Sequence, residues 1–111
     1  MFSHKPRILV VCSRNKRRSL TAETLFRNSL EAEVRSAGTS PRARHTVSIK
    51  DIAWADVIIC MERKHHQQLA RLFKQDQLPS IRVADIEDIY EYMDPELCSL
   101  LKSTIREYFR F

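Results

Sequence analysis

Short continuous apolar runs alternate along this chain with stretches whose apolar residues recur at helical spacing. Ile8-Leu9-Val10-Val11 is such a run, as expected of a strand buried on both faces of a parallel sheet. After Ser19, the residues Ala22, Leu25, Phe26, Ser29 and Leu30 fall on one helical face. Val34 to Ser36 predicts a short second strand, closed by Gly38, the only glycine in the chain. Ser48-Ile49-Lys50-Asp51 has the form of a capping box opening a short helix that runs to about Trp54. Val57-Ile58-Ile59-Cys60, within Asp56 to Met61, predicts a third buried strand. Glu62 to Lys74 follows as a helix with Leu69, Leu72 and Phe73 inward. After Pro79, Ile81 to Ala84 reads as the fourth strand. Asp94-Pro95 opens a last helix, proline being suited to a first turn, and Leu97, Leu101, Ile105 and Tyr108 form its buried stripe.

Strands alternating with helices from end to end predict an α/β fold: a single domain over residues 1–111, with a four-stranded parallel sheet and helices on both faces. Sites in such folds lie beyond the C-terminal ends of the strands. Cys12 and the acidic segment Asp85 to Asp88 both emerge there.

Composition narrows the class without naming a function. A chain of 111 residues, 43% hydrophobic and 30% charged, suits one globular domain with one core. No apolar run approaches the ~18–20 residues that cross a membrane, and the first residues lack the long apolar core of a secretory signal. The cysteines Cys12, Cys60 and Cys98 are odd in number and irregularly spaced, so no disulfide framework is expected and a reducing cytoplasm is the natural setting. The net charge of +5 favours anionic partners, with basic residues densest at Arg14 to Arg18 and at Arg42 to His45. Neither cluster contains Phe, Tyr or Trp, which argues against a nucleic-acid surface. His65-His66 reads as part of a solvated helix face, and no metal-ligand cluster stands out, so neither metal nor cofactor is expected.

The chemistry concentrates in Cys12-Ser13-Arg14-Asn15-Lys16-Arg17-Arg18-Ser19, which leaves the first strand. A loop of this length can curl its backbone N–H groups around phosphate oxygens, aided by the N-terminus of the next helix. Arg18 offers a planar fork that matches two oxygens, and Cys12 would sit beneath the phosphorus. Positive surroundings favour the ionised thiolate, the nucleophilic form of cysteine. A cysteine ending a buried strand is more often an inert small hydrophobe, and the basic residues alone could be a solvated turn. The strand before the loop and the helical pattern after it favour the phosphate-binding reading.

These residues resemble the low-molecular-weight protein tyrosine phosphatases, whose strand–loop–helix carries a Cys-x5-Arg-Ser motif followed closely by Ala-Glu. Cys12, Arg18, Ser19 and Ala22-Glu23 stand in those places, and Asn15 matches the loop asparagine. Val34-Arg35-Ser36-Ala37-Gly38-Thr39 resembles the Ser-Ala-Gly-Thr segment of the second strand, and Ala55 to Met61 the third strand. Ile86-Glu87-Asp88-Ile89-Tyr90 is similar to the late loop, in which an aspartate is followed by proline and tyrosine. The similarity runs in order from about Ile8 to Phe109.

The resemblance implies a two-step hydrolysis of a phosphate monoester without metal. Cys12 would be the nucleophile, and Arg18 with the loop Ser13 to Ser19 would hold the phosphate. Asp88 would be general acid and then base, chosen over Asp85 and over Asp94, which has a simpler role as a helix N-cap. Ser19 would hydrogen-bond the Cys12 thiolate, and Asn15 and Ser36 would steady the loop. Substrates would be phosphorylated proteins or small phosphate esters, with acidic surroundings favoured. The departures are Arg14 where glycine is common, Arg17 where a second cysteine is common, Ile89 in place of proline, and a shortened connection between Thr39 and Ser48. That connection normally carries an aromatic pocket wall, leaving His45, Tyr90 and Tyr92 as candidates. The alternatives are a phosphate-binding module on the same fold that has lost turnover, and an arsenate reductase, for which Cys60 and Cys98 form no closely spaced pair.

Overall fold

The structure is a computed structural model that describes residues 4–109, with side chains described for 4–107. Four parallel strands, β1 (Arg7–Cys12), β2 (Glu33–Gly38), β3 (Val57–Cys60) and β4 (Ser80–Val83), are ordered β2-β1-β3-β4. The helices are α1 (Arg18–Leu25), α2 (Ile49–Trp54), α3 (Arg63–Leu72) and α4 (Pro95–Phe109).

The central strands explain their own composition. Alternate residues of β1 enter different cores: Ile8, Val10 and Cys12 join Ala22, Phe26, Leu97, Leu101 and Ile105 beneath α1 and α4. Leu9 and Val11 join Ile52, Ile58 and Leu69 beneath α2 and α3. A strand covered on both faces can carry no polar position, hence the unbroken apolar run. Burying each of Leu97, Leu101 and Ile105, none of which is accessible, stabilises the fold by roughly 1.5–3 kcal/mol. Tyr108, expected on the same stripe, lies outside the described side chains.

Two expectations fail at helix ends. The face predicted to run to Leu30 stops when α1 ends at Leu25; Phe26 still enters the core, but Leu30 is 90% exposed. The side chain of Ser29 accepts from the N–H of Glu31 there, a local bond that competes with continued helix. Likewise α3 ends at Leu72, which is exposed, because Phe73 is extended and turns against the sheet in its stead. The capping box forms as expected, with Ser48 and Asp51 bonding each other's backbone N–H.

This topology makes a crevice. The chain leaves β1 toward α1 on one face and leaves β3 toward α3 on the other, so their C-terminal ends diverge where the strand order switches. The loop after Cys12 fills that opening.

Candidate active site

The loop from Cys12 to Arg18 is held from outside through its carbonyls. Those of Cys12, Ser13 and Arg14 accept from the N–H groups of Thr39, Ser40 and Arg44, each at 3.0 Å, and that of Asn15 from Arg44 Nε at 3.3 Å. The connection after β2 is therefore a buttress, and with these carbonyls turned outward the loop's backbone N–H groups face inward, that of Asn15 toward Cys12 Sγ. Close approach requires Gly38: a Cβ there would lie 2.5 Å from the Ser13 carbonyl oxygen and 2.6 Å from Ala43 Cβ. The turn itself uses Asn15, which is buried at φ 58°, a left-handed conformation that asparagine tolerates better than most residues. Arg14 needs no such conformation.

Within the loop, the Asn15 N–H donates to Cys12 Sγ at 3.2 Å, and Asn15 Nδ2 donates to Ser19 Oγ at 2.8 Å. Ser19 Oγ lies 3.0 Å from Cys12 Sγ. A Cys12 thiolate has no hydrogen to give, so in that state Ser19, while accepting from Asn15, donates its own hydrogen to the sulfur. Two donors thus converge on Cys12, an arrangement that suits a sulfur carrying negative charge. No side chain caps the start of α1, so its first N–H groups remain available to an anion.

Arg18 is only 2% exposed. Its Nη1 donates to Glu62 Oε1 at 2.5 Å and to the Ile86 carbonyl at 2.8 Å, and its Nε lies 3.6 Å from Asp88 Oδ1. Burial alone would raise the Glu62 carboxyl, but the hydrogen bond and charge of Arg18 outweigh it and hold it below its ordinary value. A cavity of about 330 Å³ is lined by Cys12, Ser13, Arg14, Lys16, Arg17, Arg18 and Asp88.

Of the three aspartates weighed for general acid, only Asp88 lines this cavity. Asp94 caps α4 through the N–H groups of Glu96 and Leu97, and exposed Asp85 lies outside, at φ 56°. Ser36 does not reach the loop; its N–H and Oγ donate to Glu23 Oε1 at 2.8 and 2.7 Å, so it anchors α1 to β2.

The candidate pocket walls are elsewhere. Tyr90 packs on the core and donates to Glu96 Oε2 at 2.6 Å, which pushes its phenol up to about 12. Tyr92 bonds Thr24 Oγ1 at 2.9 Å, and His45 pairs with Asp51 at 2.9 Å. Among the described residues no aromatic side chain lines the cavity. Cys60 is fully buried, its thiol pushed up to about 12 by desolvation, and Cys98 lies on α4; neither lines the cavity.

Sequence reasoning missed two residues of α3's first turn. Glu62 binds Arg18, and His65, expected in solvent, is wholly buried with Nε2 2.9 Å from Ser13 Oγ. The available signal was Leu69, four residues on, which places His65 on the inward face of the same helix. Among the described residues no group of His, Cys, Asp and Glu is arranged to hold a metal ion.

The fold matches that of solved phosphatases. The tyrosine phosphatase AmsI of Erwinia amylovora superposes with a TM-score of 0.74 at 19% identity, covering 99% of this chain and 96% of its own. A low molecular weight phosphotyrosine phosphatase from Vibrio cholerae O395 gives 0.68 at 21%, covering 95% and 97%. The YwlE arginine phosphatase from Geobacillus stearothermophilus gives 0.69 at 19%, covering 95% and 94%. The chain has the low-molecular-weight protein tyrosine phosphatase fold, with Cys12 opening the loop after the first strand. No protein-family profile matches it, and no curated protein matches its sequence. No helix among the described residues is long and apolar enough to cross a membrane.

Proposed function

We propose that this chain is a member of that phosphatase family and hydrolyses phosphate monoesters through a phosphocysteine at Cys12. The observation that carries the reading is the convergence of Cys12, Arg18 and Asp88 on one cavity. In the first step the Cys12 thiolate forms an S–P bond as the ester P–O bond breaks, and Asp88 gives its proton to the leaving oxygen. Arg18 and the loop amides hold the equatorial oxygens, where transition-state charge resides. Water then attacks phosphorus, Asp88 takes its proton, and the S–P bond breaks to release phosphate. Arg18 and the amides supply the positive charge this chemistry needs, so the reaction is metal-independent. Turnover of a chromogenic aryl phosphate in excess chelator tests it.

The aryl group would meet no aromatic wall among the described residues, so the site also admits non-tyrosine esters. Arg14 and Lys16 are exposed and have no acidic partner among the described residues, whereas Arg17 lies 3.8 Å from Glu91. Acidic phosphopeptides should therefore have higher kcat/KM than neutral ones, with the advantage shrinking as salt rises. No such advantage at low salt would refute the electrostatic preference alone. The same unpaired cations support a second reading, a module that retains phosphate too tightly to turn over; pure protein that binds phosphate without hydrolysis would establish it. An arsenate reductase would need a cysteine able to reach Cys12, and the surroundings of Cys60 and Cys98 do not favour one.

A further inference from the structure

The first turn of α3 reaches the phosphate loop at a second point besides Arg18. The Glu62 N–H lies 3.1 Å from His65 Nδ1. An N–H can only donate, so Nδ1 accepts and the neutral ring carries its hydrogen on Nε2. Nε2–H then donates to Ser13 Oγ at 2.9 Å. Burial, with the charge of Arg18 next, lowers the ring's pKa to about 4, so this tautomer holds at neutral pH. Ser13 is the residue after Cys12, and its carbonyl is held from the opposite side by the Ser40 N–H at 3.0 Å. The backbone of Ser13 is thus tied to the connection after β2, and its side chain to α3.

We propose that His65 is a positioning residue of the phosphate loop: through its bond to Ser13 Oγ it fixes the curl that the loop needs to enclose a phosphate. His65 does not line the cavity, and it acts only through Ser13. Its effect on turnover rests on the hydrolase reading, whereas its effect on anion affinity does not. A merely structural role is the competing explanation, since the bond from Glu62 N–H to Nδ1 also closes the start of α3.

Two substitutions separate these roles. In His65→Asn the shorter amide can still accept from the Glu62 N–H but cannot reach Ser13. In His65→Gln the amide nitrogen reaches the place of Nε2 and can donate to Ser13. The experiment is a titration with inorganic phosphate of wild type, Ser13→Ala, His65→Asn, His65→Gln and the Ser13→Ala/His65→Asn double variant, with thermal melting of each. Ser13→Ala and His65→Asn should each weaken phosphate binding roughly five- to tenfold, the cost of one hydrogen bond, and the double variant should be no weaker than either. His65→Gln should bind within about twofold of wild type even where it melts lower, because its donor bond is retained. Losses that multiply in the double variant, wild-type affinity in His65→Asn, or no recovery in His65→Gln would overturn the proposal. Wild-type protein that shows this pattern yet never hydrolyses an aryl phosphate would overturn the hydrolase reading and support the positioning role.

Discussion

Arg18 turns one nitrogen, Nη1, to Glu62 Oε1 at 2.5 Å, and that bond fixes which edge of the guanidinium remains for a substrate. Nη1 is also committed to the Ile86 carbonyl. A lysine has no planar fork with which to satisfy both sides. Arg18→Lys should lower kcat/KM roughly 100-fold or more, the scale of losing transition-state charge stabilisation. Glu62→Ala should cost about 2 kcal/mol of stability, measured by denaturant unfolding, because it removes a charged hydrogen bond from a buried guanidinium. Near-normal kinetics in Arg18→Lys would contradict the role given to the fork.

Asp88 stands 3.6 Å from Arg18 Nε at the cavity rim, with its side chain 56% exposed, placed to meet a leaving oxygen without being sealed from water. Asp88→Asn should slow esters with poor leaving groups much more than activated ones, which need little protonation. A steeper dependence of kcat on leaving-group pKa is the expected result. Equal losses across the series would assign the proton to another group.

Gly38 tests the buttress. Gly38→Ala would drive a methyl group into the Ser13 carbonyl and Ala43, of which the carbonyl belongs to the loop itself. The expected cost is about 1–3 kcal/mol, the range for overpacking, with weaker phosphate binding. Unchanged melting and affinity would show that the connection does not hold the loop.

His65 makes stability depend on pH. Its folded pKa of about 4 lies below the ordinary 6.5, with Arg18, Glu62, Lys64 and Asp88 as the charged groups around it. The unfolded chain therefore takes up this proton first. The contribution is fully present above about pH 6.5 and is lost as pH falls toward about 4, by on the order of 3 kcal/mol. Glu62, whose carboxyl is held low by Arg18, adds a loss at the acid end. Comparing unfolding free energies of wild type and His65→Gln from neutral to acid pH isolates the histidine. The variant should lose less stability on acidification, and parallel curves would contradict the assignment.

What was legible in the chain follows from sequence distance. Strands buried on both faces must be continuously apolar, so β1 and β3 stand out, and Cys12, Asn15, Arg18 and Ser19 share one loop. Glu62 and His65 touch that loop across 44 and 52 residues, and a charged residue and a histidine at a helix start look like solvent-facing positions until the topology is known. Tyr90 and Tyr92 were misplaced because Glu96 and Thr24 decide where they point. Leu30 and Leu72 continued a periodicity that local bonds and an extended Phe73 brought to an end.

The central claim is covalent catalysis by Cys12, and an acid quench during turnover of an aryl phosphate tests it most directly. Peptide mass spectrometry should find one phosphoryl group on the peptide that contains Cys12, and Cys12→Ser protein should not turn over. Sustained hydrolysis by Cys12→Ser, or a phosphoryl group carried on a different residue of wild type, would contradict it.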